Sequence, residues 1–233
     1  FSQAAKDDRL YRDYKVVPWC PRCGPTLSSH ELAQGYTEVK DLTVTSKFEL
    51  IDEPNTFLLA WTTTPWTFPG NVALAVGTHI VYGKYKKDTE QVILADARAK
   101  ENRDESWIRV GEVTASELIG KTYKPLYDFA KAHASESEKG KFEKAFQVYA
   151  ADFVTTENGT GIVHTAVMYG QEDFELGNSI GLPKVHLVNP EGKFISGTGF
   201  LEGKPVVDEE TAVEIIKDLA ARGLLCNKSK YEH

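Results

Sequence analysis

Two short apolar runs separated by two prolines place the strongest constraint on how this chain folds. The runs, residues 57–61 and 72–76, each have the length and composition of a buried strand. Pro65 cannot donate to a sheet ladder, and Pro69 followed by glycine marks a turn. The chain must therefore leave one strand, bend, and enter another, with three threonines, Thr62 to Thr64, on the bend.

The rest of the chain reads as many short strands with few helices. Apolar and polar residues alternate over residues 42–50, the period of a half-buried strand. Further strands are predicted at residues 36–39, 56–62, 80–85, 91–95, 107–113, 146–155, 162–164 and 183–188. The clearest helix is residues 208–223, with Asp208 as its cap and Gly223 as its end. This pattern indicates a closed, β-rich domain.

The composition of the chain restricts its expected cellular location and its binding partners. The net charge is −7, whereas a protein that grips duplex phosphates over a wide face is normally basic, so any nucleic acid should be touched only at its end. No apolar run approaches the roughly 20 residues of a membrane span, and we expect no membrane association. Three cysteines do not form a secreted disulfide framework, which favours a cytoplasmic location. Because the chain begins at Phe1, we expect it to be part of a longer protein.

Cys20 and Cys23, followed by glycine, have the spacing of one knuckle of a tetrahedral zinc site. A closed site needs two more ligands, and Cys226 is the only other cysteine. We therefore expect no bound metal here, with Cys20 and Cys23 as a half-site at most. Two ordinary cysteines in a turn are the alternative interpretation.

A second motif lies about a hundred residues after the threonines. Glycines at 159 and 161 permit a tight turn and the close approach of a ligand or backbone, and a short apolar strand then ends at His164. Asp173 follows nine positions later, at the predicted start of a helix. Without other information, a lone histidine at a strand end and a lone aspartate near a helix start are usually structural.

Both motifs resemble one protein family. The string from Trp61 to Asn71 and the block Gly-Thr-Gly-Ile-Val-His ending at His164 resemble the editing domain inserted into isoleucyl-tRNA synthetases, which are class I enzymes. The valyl and leucyl enzymes carry an arginine and an acidic residue where this chain has Thr64 and Trp66. One departure is Val167-Met168, where the family usually has a proline.

The resemblance implies a β-rich α+β fold, a closed β-barrel of short strands with peripheral helices. It implies an entry arm with half a zinc ribbon at residues 1–35, the editing barrel at 36–223, and an exit segment at 224–233. The partner of the cysteine pair would lie beyond this chain, so zinc is expected only in the full-length parent. Editing itself needs no cofactor, and ATP and magnesium belong to the parent's synthetic site.

The implied activity is hydrolysis of the ester of valine on the acceptor end of tRNA specific for isoleucine, with isoleucyl ester spared. Valyl-adenylate is a further candidate substrate, and the parent's other domains are expected partners. The expected catalytic residues are Thr62, Thr63, His164 and Asp173. The expected substrate-binding residues are the same four together with Trp61, Thr64 and Asn71.

Each role has a chemical reason. A carboxylate, Asp173, suits the substrate's α-ammonium. Thr62 and Thr63 suit ribose hydroxyls and the ester, while Thr64 and His164 form a wall against the larger side chain. His164 or the substrate's own ribose hydroxyl would assist the water, with positioning outweighing base catalysis. Three alternatives are a non-catalytic zinc-ribbon module that docks RNA or protein, an inactive editing-fold spacer, and an editing domain of valyl or leucyl type.

Overall fold

The computed structural model describes residues 1–10 and 14–232. Residues 11–13 and 233, parts of the expected entry arm and exit segment, lie outside the described residues. The strands are β1 (Lys40–Glu49), β2 (Thr56–Thr62), β3 (Ala73–Val76), β4 (Val81–Lys87), β5 (Glu90–Ala95), β6 (Ile108–Thr114), β7 (Gln147–Ala150), β8 (Ile162–Thr165) and β9 (Leu225–Glu232). The helices are α1 (Ser2–Lys6), α2 (Ser29–Ala33), α3 (Ala99–Asn102), α4 (Ala115–Leu118), α5 (Phe129–Ala132), α6 (Glu136–Lys139), α7 (Gln171–Ile180) and α8 (Glu209–Ala221).

The strands form two sheets. The larger has the order β6-β4-β5-β2-β1-β9, with β2 and β5 parallel and the other neighbours antiparallel. The smaller has the order β7-β3-β8. The mixed α+β class is therefore confirmed. Across the described residues, β6 and β9 are the unpaired edges of the larger sheet, and the predicted closed barrel is not confirmed.

Strand β2 shows how sequence alternation divides the interior. Leu58 and Ala60 face the main core, whereas Phe57 and Leu59 pack in a smaller cluster on the other side of the sheet. Successive side chains on a strand point to opposite faces, so this division is the expected one. Residues 56–60 of β2 are consequently buried, Trp61 is partly exposed, and the polar end of the strand at Thr62 is buried.

The predicted strands were confirmed at most positions, and two were wrong. Residues 36–39 form no strand, and β1 begins at Lys40. In residues 183–188 only Val188 pairs, in an isolated bridge to Phe194. Both predictions came from short strand-like sequences, and such a sequence alone does not supply a partner strand. Asp208 precedes α8 as expected, although its side chain makes no capping hydrogen bond.

Strand β9 was not predicted, because its charged sequence lacks an apolar alternation. It lies in the segment expected to exit the domain and pairs antiparallel with β1 over most of its length. The division of the chain at residue 223 stays a prediction about the longer protein. In the part of the chain that the structure describes, no helix has both the length and the hydropathy needed to cross a membrane.

Candidate active site

The bend after β2 is a single 3-10 helix, Pro65–Gly70, rather than two separate turns. Pro65 occupies its first position, where the missing N–H costs nothing. The Thr62 hydroxyl accepts a hydrogen bond from the Thr64 amide at 3.0 Å and lies 3.2 Å from the Thr64 hydroxyl. The Thr67 hydroxyl donates to the Thr64 carbonyl at 2.8 Å. The threonines are therefore fixed to one another by the bend itself.

His164 enters this bend from the smaller sheet. Strand β8 pairs antiparallel with β3, which places His164 opposite Leu74. Its imidazole is buried, with Nε2 2.9 Å from the Thr67 hydroxyl and its ring centroid 4.7 Å from that of Phe68. The two sequence motifs thus meet through a hydrogen bond between Thr67 and His164.

The bonding of Thr67 fixes the tautomer of His164. The Thr67 hydroxyl has one hydrogen, and the Thr64 carbonyl can only accept it. The hydroxyl must then accept from His164, so the proton of the neutral ring lies on Nε2. Nδ1 is left with a bare lone pair, and it is buried with no hydrogen-bond partner among the described residues. Burial also lowers the pKa of His164 to about 4, so the ring is neutral at physiological pH.

Asp173 lies in the first turn of α7, close in the chain to His164. Its Oδ2 accepts a hydrogen bond from the Ala166 amide at 2.9 Å. Burial raises the pKa of Asp173 to about 6, with the Ala166 hydrogen bond acting in the opposite direction. The carboxylate is therefore held beside the segment that follows His164, in surroundings that favour a cationic partner.

Packing of the segment after His164 holds α7 in place. A Cβ placed on Gly177 would lie 2.6 Å from Cγ2 of Val167, so the helix backbone rests directly on the valine. Tyr169 stacks edge-on against Trp66, with ring centroids 5.0 Å apart, and approaches the Cα of Gly70. Val167, at the position where the family usually has proline, thus has a packing role of its own.

The structure joins some of the expected residues and separates others. Thr62, Thr64 and His164 belong to one hydrogen-bonded chain through Thr67. Thr63 is partly exposed just after β2. Its expected role stays a prediction.

Asn71 and Trp61 lie apart from that chain. The Asn71 amide is buried, donating to the Ala73 carbonyl at 2.8 Å and accepting from the Tyr123 hydroxyl at 2.7 Å. Asn71 therefore stabilises the entry into β3. Trp61, one residue before Thr62 on β2, points to the opposite face of the sheet and lines a separate cavity.

Sequence reasoning missed Thr67 and Tyr169. Thr67 lies within the first motif, and its place three residues after Thr64 was the available signal, since a 3-10 helix brings such residues together. Tyr169 carried no signal, because its hydroxyl accepts from the Leu187 amide in a segment far along the chain.

The cysteine pair forms a turn in which the Cys23 amide donates to Sγ of Cys20 at 3.3 Å. This amide and the neighbouring thiol lower the pKa of Cys20. Among residues 1–10 and 14–232, no cluster of three or more His, Cys, Asp or Glu side chains is arranged to hold a metal ion. These residues alone do not complete a tetrahedral zinc site, and the half-site remains a prediction.

The fold is that of editing domains of aminoacyl-tRNA synthetases. The structure is similar to the crystal structure of GlLeuRS-CP1, with a TM-score of 0.61 and 15% identity over 80% of this chain and 98% of that chain. It is also similar to the editing domain of P. knowlesi cytosolic leucyl-tRNA synthetase, with a TM-score of 0.55 and 9% identity over 86% of this chain and 99% of that chain. At these identities the likeness concerns the fold alone.

In sequence, the chain is related to isoleucine–tRNA ligases. It is 41% identical to the enzyme of Bacillus thuringiensis strain Al Hakam over 96% of this chain and 20% of the ligase. The identity to the enzyme of Clostridium tetani strain Massachusetts / E88 is also 41%, over 96% of this chain and 21% of that ligase. No family model matches the chain. The chain spans about a fifth of the length of these relatives, and the resemblance to the isoleucyl-tRNA synthetase editing domain is confirmed.

Proposed function

We propose that this domain hydrolyses the ester between valine and tRNA specific for isoleucine, and that it spares the isoleucyl ester. One observation carries the proposal: a hydrogen-bonded chain runs from Thr62 through Thr64 and Thr67 to His164, with a half-buried carboxylate, that of Asp173, on the adjoining segment. The relationship to isoleucine–tRNA ligases supplies the amino acid. A missing methylene is worth only about 1–3 kcal/mol of discrimination, and isoleucyl-tRNA synthetases are the standard instance of that limit.

Asp173 binds the α-ammonium of the esterified amino acid. Its pKa of about 6 leaves it largely ionised at neutral pH, while its burial makes that charge costly without a partner. An ammonium group within hydrogen-bond distance supplies the missing positive charge and lowers the pKa again. Binding of a charged amino group is therefore favoured over binding of a neutral one.

His164 acts chiefly by position. A ring with a pKa of about 4 is a weak base at neutral pH, so proton removal by His164 contributes little to the rate. Its bare Nδ1 still accepts a hydrogen bond, and a water or the substrate's ammonium is a suitable donor. The free hydroxyl of the substrate's ribose remains the alternative group for assisting the water.

Exclusion of isoleucine follows from rigidity. His164 is held on one side by Thr67 and on another by the ring of Phe68, so the imidazole cannot move aside for an extra methylene. Thr64, fixed through its amide to Thr62, supplies the second part of the wall. In this proposal Thr62 and Thr63 bond the ester and the ribose. Asn71 contributes indirectly, by fixing the backbone at Ala73.

The activity is tested by incubating the domain, and separately its full-length parent, with valyl and isoleucyl esters of isoleucine tRNA. The parent is expected to release valine and to leave the isoleucyl ester intact. Asp173→Ala should abolish release of valine, and Asp152→Ala, on an exposed turn, is the matched control that should retain it. His164→Ala or Thr64→Ala should admit the isoleucyl ester. If the parent cleaves neither ester, the proposal fails.

Activities that need the other four-fifths of the relatives are proposed only for a longer protein. These are ATP-dependent attachment of isoleucine, with magnesium in the synthetic site, and completion of a zinc site by ligands that join Cys20 and Cys23. The editing step assigned to this domain uses the residues described above and no metal.

A further inference from the structure

Tyr169 lies between the threonine bend and a segment far along the chain, and its ring is held from both sides. The ring meets that of Trp66 edge-on, with centroids 5.0 Å apart. A Cβ placed on Gly70 would lie 2.8 Å from Cε2 of Tyr169, so the ring rests directly on the backbone at the end of the bend. On its far side, the Tyr169 hydroxyl accepts a hydrogen bond from the Leu187 amide at 2.8 Å. The phenol therefore has no room to move towards the bend.

The backbone of Tyr169 connects this ring to the carboxylate of Asp173. The Tyr169 amide donates to the Ala166 carbonyl at 2.9 Å, which closes a turn directly after β8. The Ala166 amide donates in the other direction, to Oδ2 of Asp173, also at 2.9 Å. Because both polar groups of the Ala166 backbone are used in this way, a movement of Tyr169 also moves the hydrogen-bond donor of the carboxylate.

We propose that the ring of Tyr169 is a spacer between the threonine bend and Asp173, and that this spacing determines the size of the amino-acid side chain that the site admits. The inference rests on the proposed function, in which Asp173 binds the α-ammonium and Thr64 contributes to the wall. Valine and isoleucine differ by one methylene, so a small change in the spacing alters which ester fits. Because Tyr169 acts through Asp173 and not on the substrate, it is a positioning residue.

The test changes the spacing from the side of Gly70. Gly70→Ala places a methyl group against the ring of Tyr169 and should push the turn that leads to Asp173 away from the bend. Tyr169→Leu removes the ring that the methyl group meets, so the double variant should restore the spacing. Gly111→Ala is the matched control, because nothing lies within 4 Å of its new Cβ. Gly70 and Gly111 both lie outside the positive-φ region, so alanine is not strained at either position.

The quantity measured is the ratio of kcat/KM for the valyl ester to kcat/KM for the isoleucyl ester, in the full-length parent. Gly70→Ala should lower this ratio about tenfold, the double variant should return it to within about threefold of the native value, and Gly111→Ala should leave it within about twofold. Tyr169→Phe keeps the ring and should also keep the ratio. A purely structural role would lower both rates with the folded fraction and leave the ratio unchanged. If Gly70→Ala does not fold, Tyr169→Trp presents a larger ring to Gly70 and gives the same test.

Two results overturn the inference: an unchanged ratio in folded Gly70→Ala, or a lowered ratio that the folded double variant does not restore. The amide proton of Ala166, which is hydrogen-bonded to Asp173, gives a second measurement that needs no ester. Its chemical shift should change in Gly70→Ala and return in the double variant. If the native parent cleaves neither ester, the proposed function fails and this chemical shift decides alone. A shift that changes and returns then retains Tyr169 as the spacer, and an unchanged shift refutes it.

Discussion

The hydroxyl of Thr67 lies 2.9 Å from Nε2 of His164, although 97 positions separate the two residues in the chain. This contact joins the end of the larger sheet to strand β8 of the smaller one. It also decides which nitrogen of the imidazole carries the proton. A side chain that the sequence motifs did not single out therefore sets the chemical state of one that they did.

Thr67→Val should destabilise the domain by about 1–3 kcal/mol, because it keeps the shape of threonine and leaves the buried Nε2–H of His164 without an acceptor. Urea unfolding measures this loss. Thr67→Ser keeps the hydroxyl and should retain most of the stability. Nitrogen chemical shifts of His164 should show the proton on Nε2 in the native protein, and a native proton on Nδ1 would contradict this hydrogen-bonding pattern.

The fold should lose stability on acidification because of His164. Its pKa of about 4 in the folded state lies below the unfolded value of about 6.5, so the unfolded chain takes up the proton first. This contribution is complete above pH 6.5 and is lost as the pH falls towards 4, amounting to about 2 kcal/mol between pH 7 and 5. His164→Gln should remove that slope in unfolding experiments. The same change at exposed His30 should leave it intact.

Asp173 should make the stability of the fold depend on pH in the opposite direction to His164. Its pKa is raised to about 6, so its contribution is most favourable below pH 4 and declines as the pH rises through 6. The change in unfolding free energy caused by Asp173→Asn should therefore be more favourable at pH 8 than at pH 4, by about 1–3 kcal/mol. Unfolding free energies at the two pH values measure the difference. An identical effect at both would show that the carboxyl is not perturbed.

Gly161→Ala should be more harmful than Gly120→Ala. Both glycines have positive φ, +73° and +86°, so each alanine pays about 1–2 kcal/mol for the left-handed backbone. At Gly161 the new Cβ would also lie 2.4 Å from Cβ of Ala95, whereas nothing lies within 4 Å at Gly120. Overpacking should add about 1–3 kcal/mol. Equal losses in thermal unfolding would show that β8 and β5 separate to admit the methyl group.

The sequence pattern correctly predicted those strands and helices that are determined by residues close together in the chain. The apolar runs around Pro65 became β2 and β3, and the cap, stripe and terminal glycine of residues 208–223 became α8. Strand β9 was not predicted, because its polar residues are held in a strand by pairing with β1, which lies near the other end of the sequence. The run 183–188 was misassigned for the reverse reason, since its apolar residues are buried without a neighbouring strand.

The candidate site was predictable where motif residues meet directly. His164 and the threonine bend do so through residues inside the two motifs. The placement of Asn71 in the core was not predictable, because it depends on the hydroxyl of Tyr123, more than fifty positions later. Trp61 and Thr62 point to different faces of the larger sheet. The sequence does not show what lies on each face, because that depends on the pairing of β2 with β5 and β1.

The pairing of β1 with β9 places Lys40 beside Glu232 at one corner of the larger sheet. A force that pulls Lys40 and Glu232 apart would break the hydrogen bonds between β1 and β9 one pair at a time, starting at this corner. A force that moves both residues in the same direction would leave these hydrogen bonds intact and would move the whole domain as a rigid body.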